Sequence, residues 1–175
     1  DQRLSRGLGD VYKRQLYAAV ETDRRNGAVY KTTNSGGSWL KMSDTVSGAT
    51  GPHYYQELVA SPHVFDKIYL MDTKVQVSEN GGKDFYIMNE SDKHVDNHSL
   101  TFKMSDPNYL LIGTDGGVYE SFDDTNSWKF VANLPLTQFY KLAVDDAYPF
   151  YNIFGGTQDN NCLLYTSDAA DDDHC

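Results

Sequence analysis

The stretch His94-Val95-Asp96-Asn97-His98 sets two imidazoles and a carboxylate at every second position. In extended chain alternate side chains share a face, so His94, Asp96 and His98 would point the same way. Such a set suits a divalent metal such as zinc, acid/base chemistry near neutral pH, or contact with a polar substrate. It equally suits a solvated link with one histidine bonded to a neighbouring sheet. Three ligands from one short strand rarely suffice for a metal, so no metal and no cofactor is assigned. Two turn-like stretches add carboxylates: Thr114-Asp115-Gly116-Gly117, and Thr157-Gln158-Asp159-Asn160-Asn161. Asp-Gly favours a tight hairpin in any case. Asp96, Asp115 and Asp159 together are the catalytic candidates. Glycoside hydrolysis needs two such groups, about 5 Å apart for retention or about 6.5–9.5 Å for inversion. Candidate ligand contacts are His94, His98, Gln138, Gln158 and Asn160, with Tyr54, Tyr55 and Tyr140 as aromatic platforms. The chain holds 13 tyrosines, so most of them are read as packing residues.

What must position these residues is visible in a repeat. "TTNSGGSW" (residues 32–39) returns as "SENGGKDF" (78–85) and "SFDDTNSW" (121–128). Each box has a hydroxyl first, Asn or Asp third and an aromatic eighth, and the starts lie 46 and 43 residues apart. In this reading Thr32, Ser78 and Ser121 open the turns. Asn34, Asn80 and Asp123 accept hydrogen bonds from backbone N–H groups of their own turn. Gly36 and Gly82 take positive φ at little cost. Trp39, Phe85 and Trp128 fold back as apolar plugs between sheets. Every residue type has a local job and the jobs recur, which marks a structural device rather than a ligand loop. Oxygen cages for calcium need more carboxylates than the boxes hold.

Short alternating runs flank each box, "GAVYKT" before the first and "WLKM" after it, for example. Paired runs lie further upstream, such as "HSLTFKMS" and "YLLIGT". Alternation rich in Tyr, Val, Ile and Phe predicts strands, and Pro, Asn and Asp between the runs predict turns. One unit is therefore four strands, A to D, with the box between C and D. Units span residues 54–88 and 98–131; the first lacks strand A, and a fourth stops after strand B near Thr157. Four antiparallel strands cannot bury both faces alone, whereas stacking them around an axis does. The predicted fold is all-β, a partial β-propeller of about three four-stranded antiparallel blades and part of a fourth.

The boxes resemble the Asp-box of bacterial neuraminidase repeats, S-x-D-x-G-x-T-W; the third has Thr125 where the family has glycine, and the second has Asp84 where Ser or Thr is usual. "DPNYLLIGTDGGVYESFD", "LPLTQFYKLAVD" and "GGTQDN" are similar to sortilin-type and xyloglucanase-like propeller repeats, found in many bacterial exported proteins. The resemblance implies an exported protein, either a sortilin-like module binding a protein, peptide or glycan, or a glycoside hydrolase acting on polysaccharide. A purely structural or assembly role is the third alternative. A–B turns and boxes lie at one end of a blade, B–C turns and D–A links at the other. Ligands of propellers sit on the latter face. Residues 47–56, 94–98, 114–117 and 157–161 share it.

The termini are unlike the middle. Residues 1–15 and 162–175 resemble translated adapter sequence, leaving 16–161 as the propeller segment and the remaining blades as its partner. Cys162 and Cys175 both fall in the tail and carry no redox argument. The chain has a net charge of −10. The first 15 residues hold four basic and two acidic groups and the last 14 hold four aspartates, which leaves −8 on residues 16–161. An acidic segment argues against a nucleic-acid partner. No apolar run reaches the roughly 20 residues of a membrane helix. No phosphate loop, Ser-His-Asp order or Cys-His pairing stands out, and no arginine cluster for a sialic acid carboxylate is present on these loops.

Overall fold

A computed structural model of the chain describes residues 14–23, 26–45, 57–134, 136–159 and 162–165. Every element among them is a strand. In chain order these are β1 (Leu16–Asp23), β2 (Asn26–Thr32), β3 (Leu40–Ser43), β4 (Leu58–Ala60), β5 (Ile68–Leu70), β6 (Gln76–Ser78) and β7 (Tyr86–Ile87). There follow β8 (Asn97–Phe102), β9 (Leu110–Thr114), β10 (Gly117–Ser121), β11 (Lys129–Phe130), β12 (Phe139–Val144), β13 (Ile153–Thr157) and β14 (Cys162–Tyr165). The chain divides into two compact units between residues 130 and 131.

The first unit holds three antiparallel meanders, ordered β1-β2-β3, β4-β5-β6-β7 and β8-β9-β10-β11. Each strand pairs with its sequence neighbour, as short turns require. Among the described residues the first sheet holds three strands, with no counterpart of β4 or β8. The second unit is a β12-β13-β14 sheet. Its last strand lies beyond residue 161 and pairs Cys162 with Gly156 and Tyr165 with Ile153.

Side-chain alternation sets two apolar seams. On β5, Ile68 and Leu70 join Val29 in the seam between the first and second sheets, and Met42, Leu58 and Phe85 pack there. Tyr69 points the other way, joining Val77, Met88, Leu100, Leu110, Ile112 and Trp128 between the second and third sheets. All three β5 residues are buried because a middle sheet is covered on both faces. Each fully buried Ile, Leu or Val contributes about 1.5–3 kcal/mol over exposure, so the seams dominate the unit's stability.

The three boxes share one hydrogen-bond pattern. The first-position hydroxyl donates to the third-position side-chain oxygen: Thr32 to Asn34 at 2.8 Å, Ser78 to Asn80 at 3.0 Å, Ser121 to Asp123 at 3.0 Å. The same hydroxyl accepts the fifth-position N–H, from Gly36 at 3.1 Å, Gly82 at 2.8 Å and Thr125 at 2.9 Å. The third-position oxygen accepts the seventh-position N–H, from Ser38 at 2.9 Å, Asp84 at 3.1 Å and Ser127 at 2.9 Å. The fifth residue has φ of 90° at Gly36, 89° at Gly82 and 73° at Thr125. Thr125 thus holds a left-handed conformation that suits glycine.

The closing aromatics differ from the sequence expectation at one position. Trp128 is buried between the second and third sheets and its indole N–H donates to the Asn89 carbonyl at 2.9 Å. Phe85 packs in the preceding seam. Trp39 is 45% exposed. Each plug packs against the sheet before its own, and among the described residues no sheet precedes β1.

Candidate functional site

The opposite end of the third sheet from its box carries the residues with the most chemistry. β9 ends at Thr114 and β10 starts at Gly117, so the Asp115-Gly116 hairpin and the 121–128 box cap opposite ends of β10. β8 enters at the hairpin end, where Asn97 pairs with Thr114. The link 89–96 therefore lies beside the hairpin. Asp96 N–H donates to Thr73 O at 2.8 Å, and Asp115 N–H donates to Asp96 O at 3.1 Å. These bonds tie the link to a turn of the second sheet and to the hairpin of its own.

His98 Nε2 lies 2.7 Å from Asp115 Oδ1, with both side chains about one-third exposed. His94 Nδ1 lies 2.7 Å from Val95 O and 3.9 Å from Asp96 Oδ2. Gly116 allows the close approach, since a Cβ there would fall 2.5 Å from His94 Cβ. His94, Asp96, His98 and Asp115 thus occupy one end of one sheet. The even alternation expected of 94–98 is absent. Asp96 has φ of 60°, a left-handed kink that Asp tolerates, and β8 begins only at Asn97. His98 consequently pairs with Asp115. Among the described residues no three His, Cys, Asp or Glu side chains converge as a metal site.

Beneath the link lies a buried ion pair that pattern reading did not find. Lys93 has a fully buried side chain and is paired with Glu90. Its Nζ also donates to Asn97 Oδ1 at 2.6 Å and His94 O at 3.1 Å, and stands over the Trp128 ring. Burial pulls its pKa below the usual lysine value, and the hydrogen bond and charge of Glu90 oppose that shift. Asn97, also fully buried, donates to Thr73 O at 3.0 Å. Nothing in local spacing marks Lys93 as internal; its burial comes from the stacking of the second sheet on the third.

In the second unit Gln138 and Gln158 meet, Nε2 to Oε1 at 3.2 Å, and Gln158 N–H donates to Gln138 O at 3.0 Å. Asp159, with φ of 58°, stands in the turn after β13, and Tyr140 on β12 is exposed. Tyr54, Tyr55 and Asn160 lie outside the described residues.

No family model matches the chain, and no curated protein matches it. Solved structures do. A GH74 enzyme of Niastella koreensis superposes with a TM-score of 0.58 at 12% identity, over 92% of this chain and 28% of that one. The GH74 xyloglucanase of Xanthomonas campestris gives 0.52 at 16% identity, over 93% and 29%. A YCF48 protein with a bound D1 peptide gives 0.46 at 10% identity, over 90% and 55%. The chain spans less than a third of the length of the two GH74 structures. The likeness is one of fold: the chain is all-β, built of consecutive antiparallel sheets in an open, partial β-propeller.

Proposed function

We propose that the chain is part of an Asp-box propeller, sortilin-like in its repeats, that binds a peptide, protein or glycan on the face built by its B–C turns and D–A links. The observation that carries this reading is the gathering of His94, Asp96, His98 and Asp115 at the end of the third sheet remote from its box. A carboxylate–imidazole pair about one-third exposed sets a hydrogen-bond acceptor beside a ring that donates or accepts, which suits amide or hydroxyl groups. The boxes at the other end are spent on their own turns. In this reading the parent protein is exported, and its further blades complete the ring.

A second reading, hydrolysis of a polysaccharide, draws on the likeness to GH74 enzymes and on Asp96 and Asp115 sharing a face. The engagement of Asp115 by His98 favours binding over a pair of catalytic carboxylates. The two readings separate by titrating the protein with xyloglucan oligosaccharides and a peptide library while assaying reducing-sugar release. Binding without turnover, weakened at least about tenfold by His98→Ala and Asp115→Asn, is expected, a loss of ~1.4 kcal/mol. Turnover abolished by Asp96→Asn or Asp115→Asn establishes the hydrolase instead. Unaltered affinity in the His98 and Asp115 variants places the ligand elsewhere.

A further inference from the structure

Glu90, Lys93 and Asn97 form a closed triad under the link that leads into β8. The Lys93 side chain is fully buried and that of Glu90 nearly so. Asn97, the first residue of β8, is fully buried as well. Each of the three side chains meets the other two. Lys93 Nζ is paired with Glu90 Oε2 and donates to Asn97 Oδ1 at 2.6 Å. Asn97 Nδ2 donates to Glu90 Oε1 at 3.4 Å. Outside partners fix the orientation of the Asn97 amide, because Nδ2 also donates to the carbonyls of Asp72 at 3.3 Å and Thr73 at 3.0 Å. Glu90 is held in the same way, its Oε1 accepting the Val75 N–H at 2.8 Å. The Trp128 ring covers Nζ, 5.7 Å from its centroid.

A buried ion pair is a poor stabiliser, since desolvating both charges offsets their attraction. The triad has instead the composition of a reaction: an amine, an amide carbonyl within its reach, and a carboxylate touching both. Holding amine and amide together removes the entropic cost of bringing them into contact. Lysine is a nucleophile when neutral. Burial draws the Lys93 pKa down, against the bond and charge of Glu90. Glu90 stands in place to accept the proton that must leave.

We propose that Lys93 and Asn97 join in an intramolecular isopeptide bond, with Glu90 as the proton carrier. Lys93 passes one proton to Glu90, and the neutral Nζ attacks Asn97 Cγ. The Nζ–Cγ bond forms and the Cγ–Nδ2 bond breaks. Nδ2 leaves as ammonia with the proton carried by Glu90, and Glu90 keeps the second proton released by Nζ. No oxidant or further reactant enters. Both buried charges vanish together, which removes their desolvation cost. The new bond closes a loop of five residues, 93–97, around the kink at Asp96. It fixes the backbone that carries His94 and Asp96, and it forms whether or not a ligand occupies the face above.

The test is the mass of the full 175-residue chain, purified and left overnight at neutral pH. A deficit of one ammonia is expected. Trypsin should then fail to cut after Lys93, leaving one peptide of residues 84–103 with the same deficit. Fragmentation of that peptide should give no backbone ions between residues 93 and 97. Lys93→Arg keeps the charge without the nucleophile, and Glu90→Gln keeps the shape without the proton carrier; both should retain the full mass. Amide exchange at β5 and β9 reports whether the sheets form in each variant, and where they do not, the wild-type peptide map decides alone. A wild-type chain of full mass overturns the proposal. So does a chain that lacks ammonia but is still cut after Lys93, which would make the loss a succinimide at an asparagine. A folded Glu90→Gln chain that forms the bond as completely as wild type overturns the role of Glu90.

Discussion

At the scale of single residues, the fifth box position decides how each turn is strained. Gly36 and Gly82 hold positive φ freely, whereas Thr125 does so with a branched side chain. The left-handed conformation costs an L-residue about 1–2 kcal/mol, and glycine's greater freedom when unfolded returns about 0.5–1 kcal/mol of that. Thr125→Gly should therefore stabilise the third box by ~0.5–1 kcal/mol, read as a raised denaturation midpoint. The N–H to Ser121 Oγ bond survives the change. Asp66 gives a pH prediction. Burial opposes its ionisation, but hydrogen bonds from Lys31, Tyr17 and Gln15 and the charge of Lys31 outweigh this and hold its pKa below 3.8. A carboxylate depressed on folding stabilises above its unfolded pKa and loses that contribution as pH falls through the folded value. Acid unfolding monitored by tryptophan fluorescence should show a shallower acid limb in Asp66→Asn, with lower stability at neutral pH. The box residues were legible because their partners lie within six positions of chain. Lys93 and the kink at Asp96 were not, because burial and backbone reversal there depend on Thr73 and Trp128, which lie more than 20 positions away in the chain.

The same contrast holds for elements. Every strand of the two four-stranded sheets was readable from period-two alternation. The ends of strands were less legible: β7 and β11 are only two residues long, shorter than the runs that announced them. Among the described residues β7 and β11 each pair on one side only, so their alternation outlasts their ladders. Plug aromatics test the stacking directly. Trp128→Ala removes a buried ring and its bond to Asn89 and should cost ~3–5 kcal/mol. Trp39→Ala, at a half-exposed site, should cost under ~1 kcal/mol. Chemical denaturation of both variants measures the difference; equal costs would contradict the one-directional seating of the plugs.

For the whole molecule, the first sheet's outer face, with Trp39 and Leu40 exposed, is the counterpart of faces buried elsewhere in the array. Open apolar faces of this kind promote association. Residues 16–161 alone are expected to be marginally stable and to self-associate, seen as a sedimentation coefficient that rises with concentration. A monomer melting cooperatively at every concentration would refute this. The closing ring of each seam always comes from the later sheet: Phe85 from the second, Trp128 from the third. The array accordingly has a polarity. A duplicated segment inserted downstream brings its own stopper and meets a receptor that already exists. Lengthening by copying thus requires no newly invented contact, which offers a route by which such chains gain or lose units through recombination.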